Sequence, residues 1–218
     1  MQDLEADLRA AREIDVEAVA DAIEAIGFEC TRCGECCTAD GGDPHTATVF
    51  PDEIRSIRKA TDRAWEDVAR PMPFGLSDGT GETFEWALQT DECGDCVFYE
   101  ERDKRGACGV YDDRPLLCRT YPFSLEVGAE PAVPGAVEER AGPLRVHECE
   151  GVGREIEREP AEDLAETLKR RTIVELEEAI GVRDRYEPVE SDGIVVHDSE
   201  GAKRPDGAPV TDECGDNY

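Results

Sequence analysis

The sequence predicts an α+β fold: a small, irregular, metal-stapled domain with flanking helices and few short strands. Three observations predict it. Apolar residues recur periodically through most of the chain, at helical spacing over 2–26, 51–59 and from Pro160 to Gly181. Alternation of the kind a strand shows is brief, around Phe84, Trp86 and Leu88. Between Asp91 and Phe123 the chain is dense in Cys, Gly, Arg and aromatic residues and has no sustained period, as loops organised by ligands should be.

The elements follow in chain order. Leu4, Leu8, Val16, Val19, Ile23 and Ile26 predict a helix over 2–26, with Gly27 placed to end it in a left-handed cap. Thr46 to Phe50 is β-prone, and Pro51 opens a second helix to Lys59 with Ile54 and Ile57 inward. A further helical turn or two is expected from Thr61 to Ala69, before Pro71, Pro73, Gly75, Gly79 and Gly81 break the pattern. Residues 124–146 read as a strand and loops. Pro160 starts a helix in which Leu164, Leu168, Thr172, Leu176 and Ile180 are four apart, with Gly181 at its end. The expected organisation is an N-terminal helical segment (1–27), a cysteine-cluster domain with its C-terminal helix (28–183) and a mobile acidic tail (184–218).

Charge narrows the functional classes. The 218 residues carry 24 Lys+Arg against 53 Asp+Glu, a formal net charge of −29. Nucleic-acid and anionic-membrane surfaces draw affinity from Lys and Arg, and this chain has no basic stripe, so neither is an expected partner. No run approaches the ~20 apolar residues of a membrane span, and the first residues lack a signal-peptide pattern, so a cytoplasmic protein is expected. Only four of the cations are lysine: Lys59, Lys104, Lys169 and Lys203. Acid excess with scarce lysine is the profile of adaptation to a salt-rich cytosol, where a Debye length of ~3 Å near 1 M salt screens self-repulsion. A halophilic origin is therefore expected.

Ten cysteines stand at 30, 33, 36, 37, 93, 96, 108, 118, 149 and 214. Clustered thiols without a secretory signal read as metal ligands or redox groups before disulfides. In Cys30-Thr31-Arg32-Cys33-Gly34-Glu35-Cys36-Cys37, two Cys-x-x-Cys steps supply three ligands of one site, and Gly34 permits the turn. Adjacent side chains diverge, so one of Cys36 and Cys37 serves another site, or a ligand comes from elsewhere in the chain. Cys93-x-x-Cys96, Cys108, Cys118 and Cys149 offer such partners, while Cys214 reads as a bystander.

These residues carry a resemblance. The run Cys30-x-x-Cys33-x-x-Cys36-Cys37, followed by Cys96-Val97-Phe98, Cys108-Gly109-Val110-Tyr111, Arg114-Pro115, Cys118-Arg119, Tyr121-Pro122-Phe123 and Cys149-x-Gly-x-Gly, resembles the cysteine-cluster family named for its Cys-x-x-Cys-x-x-Cys-Cys signature, also called YkgJ-like. That family is described as a zinc- or iron-chelating domain or as iron–sulfur proteins. The resemblance spans residues 28–153 and implies that Cys30, Cys33, Cys36, Cys37, Cys96, Cys108, Cys118 and Cys149 are the ligands. Cys93 and Cys214 fall outside its pattern. Flagellin lysine N-methylases carry a related cluster, which keeps protein-lysine methyl transfer as an alternative, although the sequence has no glycine-rich nucleotide fingerprint.

Four thiolates holding Zn²⁺, or an oxidised four-iron cluster, carry a net charge of about −2, which needs local compensation in so acidic a chain. Arg114 and Arg119 are expected to flank the bound cofactor and donate to sulfur, with pairing to Asp112 or Asp113 as the competing role. Tyr111, Tyr121 and Phe123 are expected to wall the site, and Pro115 and Pro122 to aim Cys118. His147 is a candidate substitute ligand; His45 and His197 read as ordinary surface or loop residues. The expectation is a cytoplasmic metal-binding protein that holds zinc or an iron–sulfur cluster, with a possible redox role and an unidentified protein or redox partner. The alternative from another class is a structural zinc module that presents an acidic face to another protein.

Overall fold

The structure is a computed structural model that describes residues 3–39, 43–77, 79–102, 105–128, 137–189 and 191–210. Its elements in chain order are α1 (Leu4–Arg12), α2 (Val16–Ile26), β1 (Thr48–Val49), α3 (Pro51–Thr61), β2 (Ala69–Pro71), β3 (Leu76–Ser77), β4 (Thr80–Thr83), β5 (Trp86–Leu88), β6 (Tyr99–Arg102) and β7 (Arg105–Cys108). There follow α4 (Leu116–Thr120), β8 (Phe123–Leu125), β9 (Val137–Ala141), β10 (Leu144–His147), α5 (Arg158–Arg185), β11 (Ile194–Asp198) and β12 (Gly201–Lys203). The mixture of helices with short strands in small sheets is the predicted α+β class.

The helix expected over 2–26 is two helices. The Asp15 carboxylate accepts the backbone N–H groups of Glu17 and Ala18 at 3.0 and 3.3 Å, so a new helix starts there. Apolar spacing ran through this break because Ile14 and Val16 pack on the same cluster as their helical neighbours. The N–H of Gly27 donates to the Ile23 carbonyl at 2.7 Å, and Gly27 has the positive φ (+80°) that glycine tolerates best. The helical turn expected over 61–69 is a single loop turn, with Val68 and Ala69 donating to the Trp65 carbonyl.

Four small sheets fill the space between the helices. β1-β5-β2 and β8-β10-β9 are antiparallel, β6-β7 is a hairpin, and β12-β11-β4-β3 contains the parallel pair β4–β11. One apolar cluster joins Val19, Ile23, Phe123, Leu144, Val146 and Leu168, so α2 and α5 cover the β8-β10-β9 sheet. A second joins Ile54, Ile57, Trp65, Val68, Trp86, Cys96, Phe98 and Val110, and lies against the cysteine region.

The segment expected as a mobile acidic tail is corrected by β11 and β12. Val195, Val196, His197 and Asp198 are all buried, and β11 pairs in parallel with β4, more than a hundred residues earlier in the chain. Non-local pairing of this kind leaves no local period in an acid-rich stretch. Gly181 is also reassigned. It lies inside α5, where a Cβ would come within 2.7 Å of the Ser199 Cβ, so its small size lets the β11–β12 turn approach the helix. His197, expected at the surface, is 1% exposed. Cys214 lies outside the described residues. Among the described residues no helix is long and apolar enough to cross a membrane.

Candidate metal centre

Two backbone zippers bring the cysteines together. The first joins the end of α2 to the Cys149-Glu150-Gly151-Val152-Gly153 turn. Glu29 N–H donates to Gly151 O at 3.1 Å, Gly153 N–H donates to Gly27 O at 2.9 Å, and Phe28 pairs with Val152. A Cβ on Gly151 would lie 2.5 Å from Glu29 O, so the glycine of this turn is a condition of bringing Cys149 beside Cys30. In the second zipper Cys96 N–H donates to Cys37 O at 2.8 Å, Ala39 N–H donates to the Asp95 carboxylate at 2.8 Å, and Gly106 N–H donates to Arg32 O at 2.8 Å. Gly34, at φ +93°, starts the 3₁₀ turn Glu35–Cys37, and a Cβ there would meet the Tyr99 hydroxyl at 2.5 Å.

Cys118 is carried by α4, and both ends of that helix are held. At its start, Leu116 N–H donates to Glu53 Oε1 at 2.7 Å, while the other oxygen of Glu53 accepts Phe50 N–H at 3.0 Å. Burial pushes the Glu53 carboxyl above its ordinary range, opposed by those two N–H donors. At its end, the buried Arg171 donates to Thr120 Oγ1 at 3.0 Å and to Phe123 O at 3.3 Å. Glu53 and Arg171 bear on the site only through the fold, and no spacing signal in the sequence marks either. Glu53→Ala is expected to leave the Leu116 N–H without its acceptor and to cost about 1–3 kcal/mol in urea unfolding, with faster alkylation of Cys118 in the metal-free protein. Glu53→Gln, which keeps one acceptor oxygen, should recover part of both; full stability in Glu53→Ala would remove the clamp.

The zippers and α4 enclose a cavity of about 500 Å³. Six thiols line it, those of Cys30, Cys36, Cys37, Cys96, Cys108 and Cys118, along with Leu88, Phe98, Val110, Leu117, Tyr99 and Tyr121. Cys33 and Cys149 are not among the lining residues, but the Cys149 thiol is raised by burial and then by repulsion from Cys33, Cys36 and Cys30, which places it electrostatically with them. Cys93 is exposed and does not line the cavity; its N–H donates to Asp91 at 2.8 Å.

Cys96, Cys108 and Cys118 are tuned as ligands and not as nucleophiles. Burial pushes Cys96 up to about 11 and raises Cys118 and Cys108, in each case with repulsion from neighbouring thiolates. Thiols held protonated in this way are poor nucleophiles, and a metal cation supplies the charge that lets them ionise. The donor set thus fits zinc or iron by chemistry. Its geometry is that of a ring around a cavity: among the described residues no group of three Cys, His, Asp or Glu side chains is already arranged to hold one ion.

Cys36 is shifted the other way. Its Sγ lies 3.8 Å from that of Cys37, whose S–H stabilises the Cys36 thiolate and, with the charge of Arg114, draws it down to about 7. The same contact, together with burial, holds Cys37 well above the ordinary thiol range. In the reduced, metal-free protein Cys36 is therefore expected to alkylate first, with a rate that rises with pH to half its maximum near pH 7. Cys37→Ala should move that midpoint up toward the usual ~8.5. Peptide mapping of iodoacetamide adducts checks both, and an unmoved midpoint would refute the pairing.

Arg114 lines the cavity, its guanidinium 3.8 Å from the Tyr111 ring centroid and its Nε donating to Tyr111 O at 3.0 Å. Arg119, on α4, is exposed and is not among the lining residues. Arg32 lines the cavity too, its guanidinium 5.9 Å from the same ring centroid. Tyr121 lines it and donates to Glu148 O; Phe123 is instead fully buried under α5. His147 lies in β10 with its Nε2 3.0 Å from Ser124 Oγ, away from the lining residues. His45, expected as an ordinary surface or loop residue, lines the cavity, where burial lowers its pKa, opposed by the nearby Cys36 backbone.

A ring of soft sulfur donors in loops pinned between two apolar clusters defines a cysteine-based metal-binding domain. The chain belongs to the CxxCxxCC family, whose model, described as "Putative zinc- or iron-chelating domain", matches residues 29–150, more than half of the chain. It binds metal through its cysteines, and zinc or iron is the metal that description names. The chain is also 27% identical over 105 residues to an uncharacterized protein of Methanocaldococcus jannaschii, an alignment covering 48% of this chain and 50% of that protein. It therefore spans about half the length of the curated relative it matches. No solved structure matches the chain.

Proposed function

We propose that this protein holds iron–sulfur and exchanges single electrons with a protein redox partner in a salt-rich cytosol. The observation that carries the choice of iron–sulfur over zinc is the arrangement of the thiols. A closed zinc site gathers four sulfurs about one ion, with Zn–S near ~2.3 Å. Here six thiols stand around about 500 Å³ of space, and no three described donors are grouped for one ion. A cluster binds each cysteine at a different iron and so tolerates wider spacing. The chemistry such a cluster supplies when bound is reversible one-electron transfer.

The chain's own residues then hold and tune it. Arg114 favours the thiolate forms of Cys36 and Cys108 by its charge, and we assign it the compensation of negative charge at the site. Arg119, exposed on α4, is assigned at most a weaker effect on the same charge. The formal charge of −29 and the scarcity of lysine support the saline setting.

Anaerobic purification followed by elemental analysis and an absorption spectrum tests the reading. Brown protein with iron and acid-labile sulfide in similar amounts is the expected result. Colourless protein carrying zinc would overturn the redox role and leave a structural zinc module. In the brown protein, Arg114→Gln should lower the midpoint potential, since it removes a positive charge from the site, and Arg119→Gln should change it less.

A further inference from the structure

We propose that the eight family cysteines form two separate four-thiolate centres, an outer one from Cys30, Cys33, Cys36 and Cys149 and an inner one from Cys37, Cys96, Cys108 and Cys118. This rests on the reading of these thiols as metal ligands and divides that set in two.

The division follows from burial and from the two backbone zippers. Cys96 is a buried member of the apolar cluster around Trp65, Trp86 and Phe98, and Cys37, Cys108 and Cys118 are packed against that same cluster. None of the other four is part of it. Cys30, Cys33 and Cys36 are exposed, and Cys149 is partly buried. The inner four are also joined through the chain. Cys96 N–H is bonded to Cys37 O, Cys108 sits in the β6–β7 hairpin opposite Tyr99, and Tyr99 N–H donates to Cys96 O at 2.8 Å. The outer four are joined by the other zipper, which sets Cys30 beside the Cys149 turn, where Cys149 Sγ accepts the Gly151 N–H at 3.4 Å.

The adjacent pair is what separates the centres. In the 3₁₀ turn Glu35–Cys37, Cys36 is exposed whereas Cys37 is half-buried against the apolar cluster, although both line the cavity and their sulfurs are 3.8 Å apart. Each therefore completes a different set: Cys36 closes the Cys-x-x-Cys-x-x-Cys run with Cys149, and Cys37 joins three cysteines from the later part of the chain. The outer centre is the more exposed and is the one placed to meet a partner; the inner centre lies against the core.

Metal content of cysteine variants tests the division without reference to any activity. With two four-iron clusters the wild-type chain is expected to hold about eight iron atoms. Cys149→Ser and Cys118→Ser should each lose half. Cys96→Ser combined with Cys118→Ser should lose no more than Cys118→Ser alone, whereas Cys118→Ser combined with Cys149→Ser should lose all. Loss of all metal in either single variant that keeps its wild-type far-ultraviolet circular dichroism, or full metal in Cys149→Ser, would overturn the division. Native mass spectrometry of wild-type protein during slow chelation needs no variant: a half-loaded species is expected, and loss in one step would overturn it. If the wild type carries zinc in place of iron, the iron–sulfur reading fails but the division still requires two ions and the same halving. Wild type that binds neither metal would overturn both.

Discussion

Replacing Lys203 with methionine is expected to destabilise the protein by about 3–5 kcal/mol, the cost of removing one partner from a buried ion pair. The Lys203 ammonium lies 2.7 Å from Asp198 Oδ2, and the two side chains are 8% and 4% exposed. Asp198 also accepts the Trp86 indole N–H at 2.9 Å and, through Oδ1, the Glu200 backbone N–H at 2.9 Å, so without Lys203 a buried carboxylate keeps two neutral donors and loses its only close cation among the described residues. Lys203 further reaches Glu200 at 2.6 Å and stands 5.2 Å from the Trp65 ring centroid, contacts that tie β12 to the larger apolar cluster. The cost measures the unpaired charge more than the bond. Asp198→Asn combined with Lys203→Met should therefore cost less than the sum of the single changes. Chemical denaturation followed by circular dichroism gives all three values. A loss under about 1 kcal/mol for Lys203→Met would mean that the pair is hydrated or that the β11–β12 hairpin detaches freely.

Stripping metal with a chelator at neutral pH, under reducing conditions, is expected to open one half of the molecule and spare the other. Thiols of raised pKa are held in the ionised state by a bound cation, so metal affinity is folding free energy for the loops that carry them. Hydrogen exchange in residues 30–39, 91–101 and 105–121 should speed up by about a hundredfold or more, corresponding to the ~2.7 kcal/mol that a ligand supplies at a hundred times its Kd. α2, α5 and the β8-β10-β9 sheet bury Val19, Ile23, Phe123, Leu144 and Leu168 in a cluster that contains none of the cysteines, so their protection should fall far less. Uniform loss of protection across both halves would show that the two clusters unfold as one unit. Unchanged protection everywhere would show that the metal adds nothing to the fold.

Some of this was legible in the sequence because its causes are local. Pro51 at the start of α3, the four-residue spacing from Leu164 to Ile180 in α5, and the turn at Gly34 all act within a few residues. The cysteine run is legible for the same reason, since its spacing is local, but the structure brings only Cys30, Cys36 and Cys37 of it to the cavity wall. Elements failed where the deciding partner is remote. The break at Asp15 was hidden because apolar residues continue across it, and the Thr61–Ala69 segment lost its helix to packing of Trp65 in the second cluster. His45 carries no spacing signal, and only the approach of its loop to the Cys36 backbone makes it part of the site. Arg114 and Arg119 look alike in sequence, five residues apart, yet one lines the cavity and the other is exposed on α4.

By itself the sequence determined the α+β class, the zinc- or iron-chelating cysteine family and the acidic balance of charge, because composition, short spacing and helical period are properties of neighbouring residues. Only the tertiary structure decided that 194–203 form strands buried along β11, that Glu53 and Arg171 clamp the helix of Cys118, and that Cys37 but not Cys36 packs on the second apolar cluster. Those outcomes depend on hydrogen bonds and burial between segments tens to more than a hundred residues apart. No local pattern records such pairings, since the chain must first close the intervening loops before either partner can be felt.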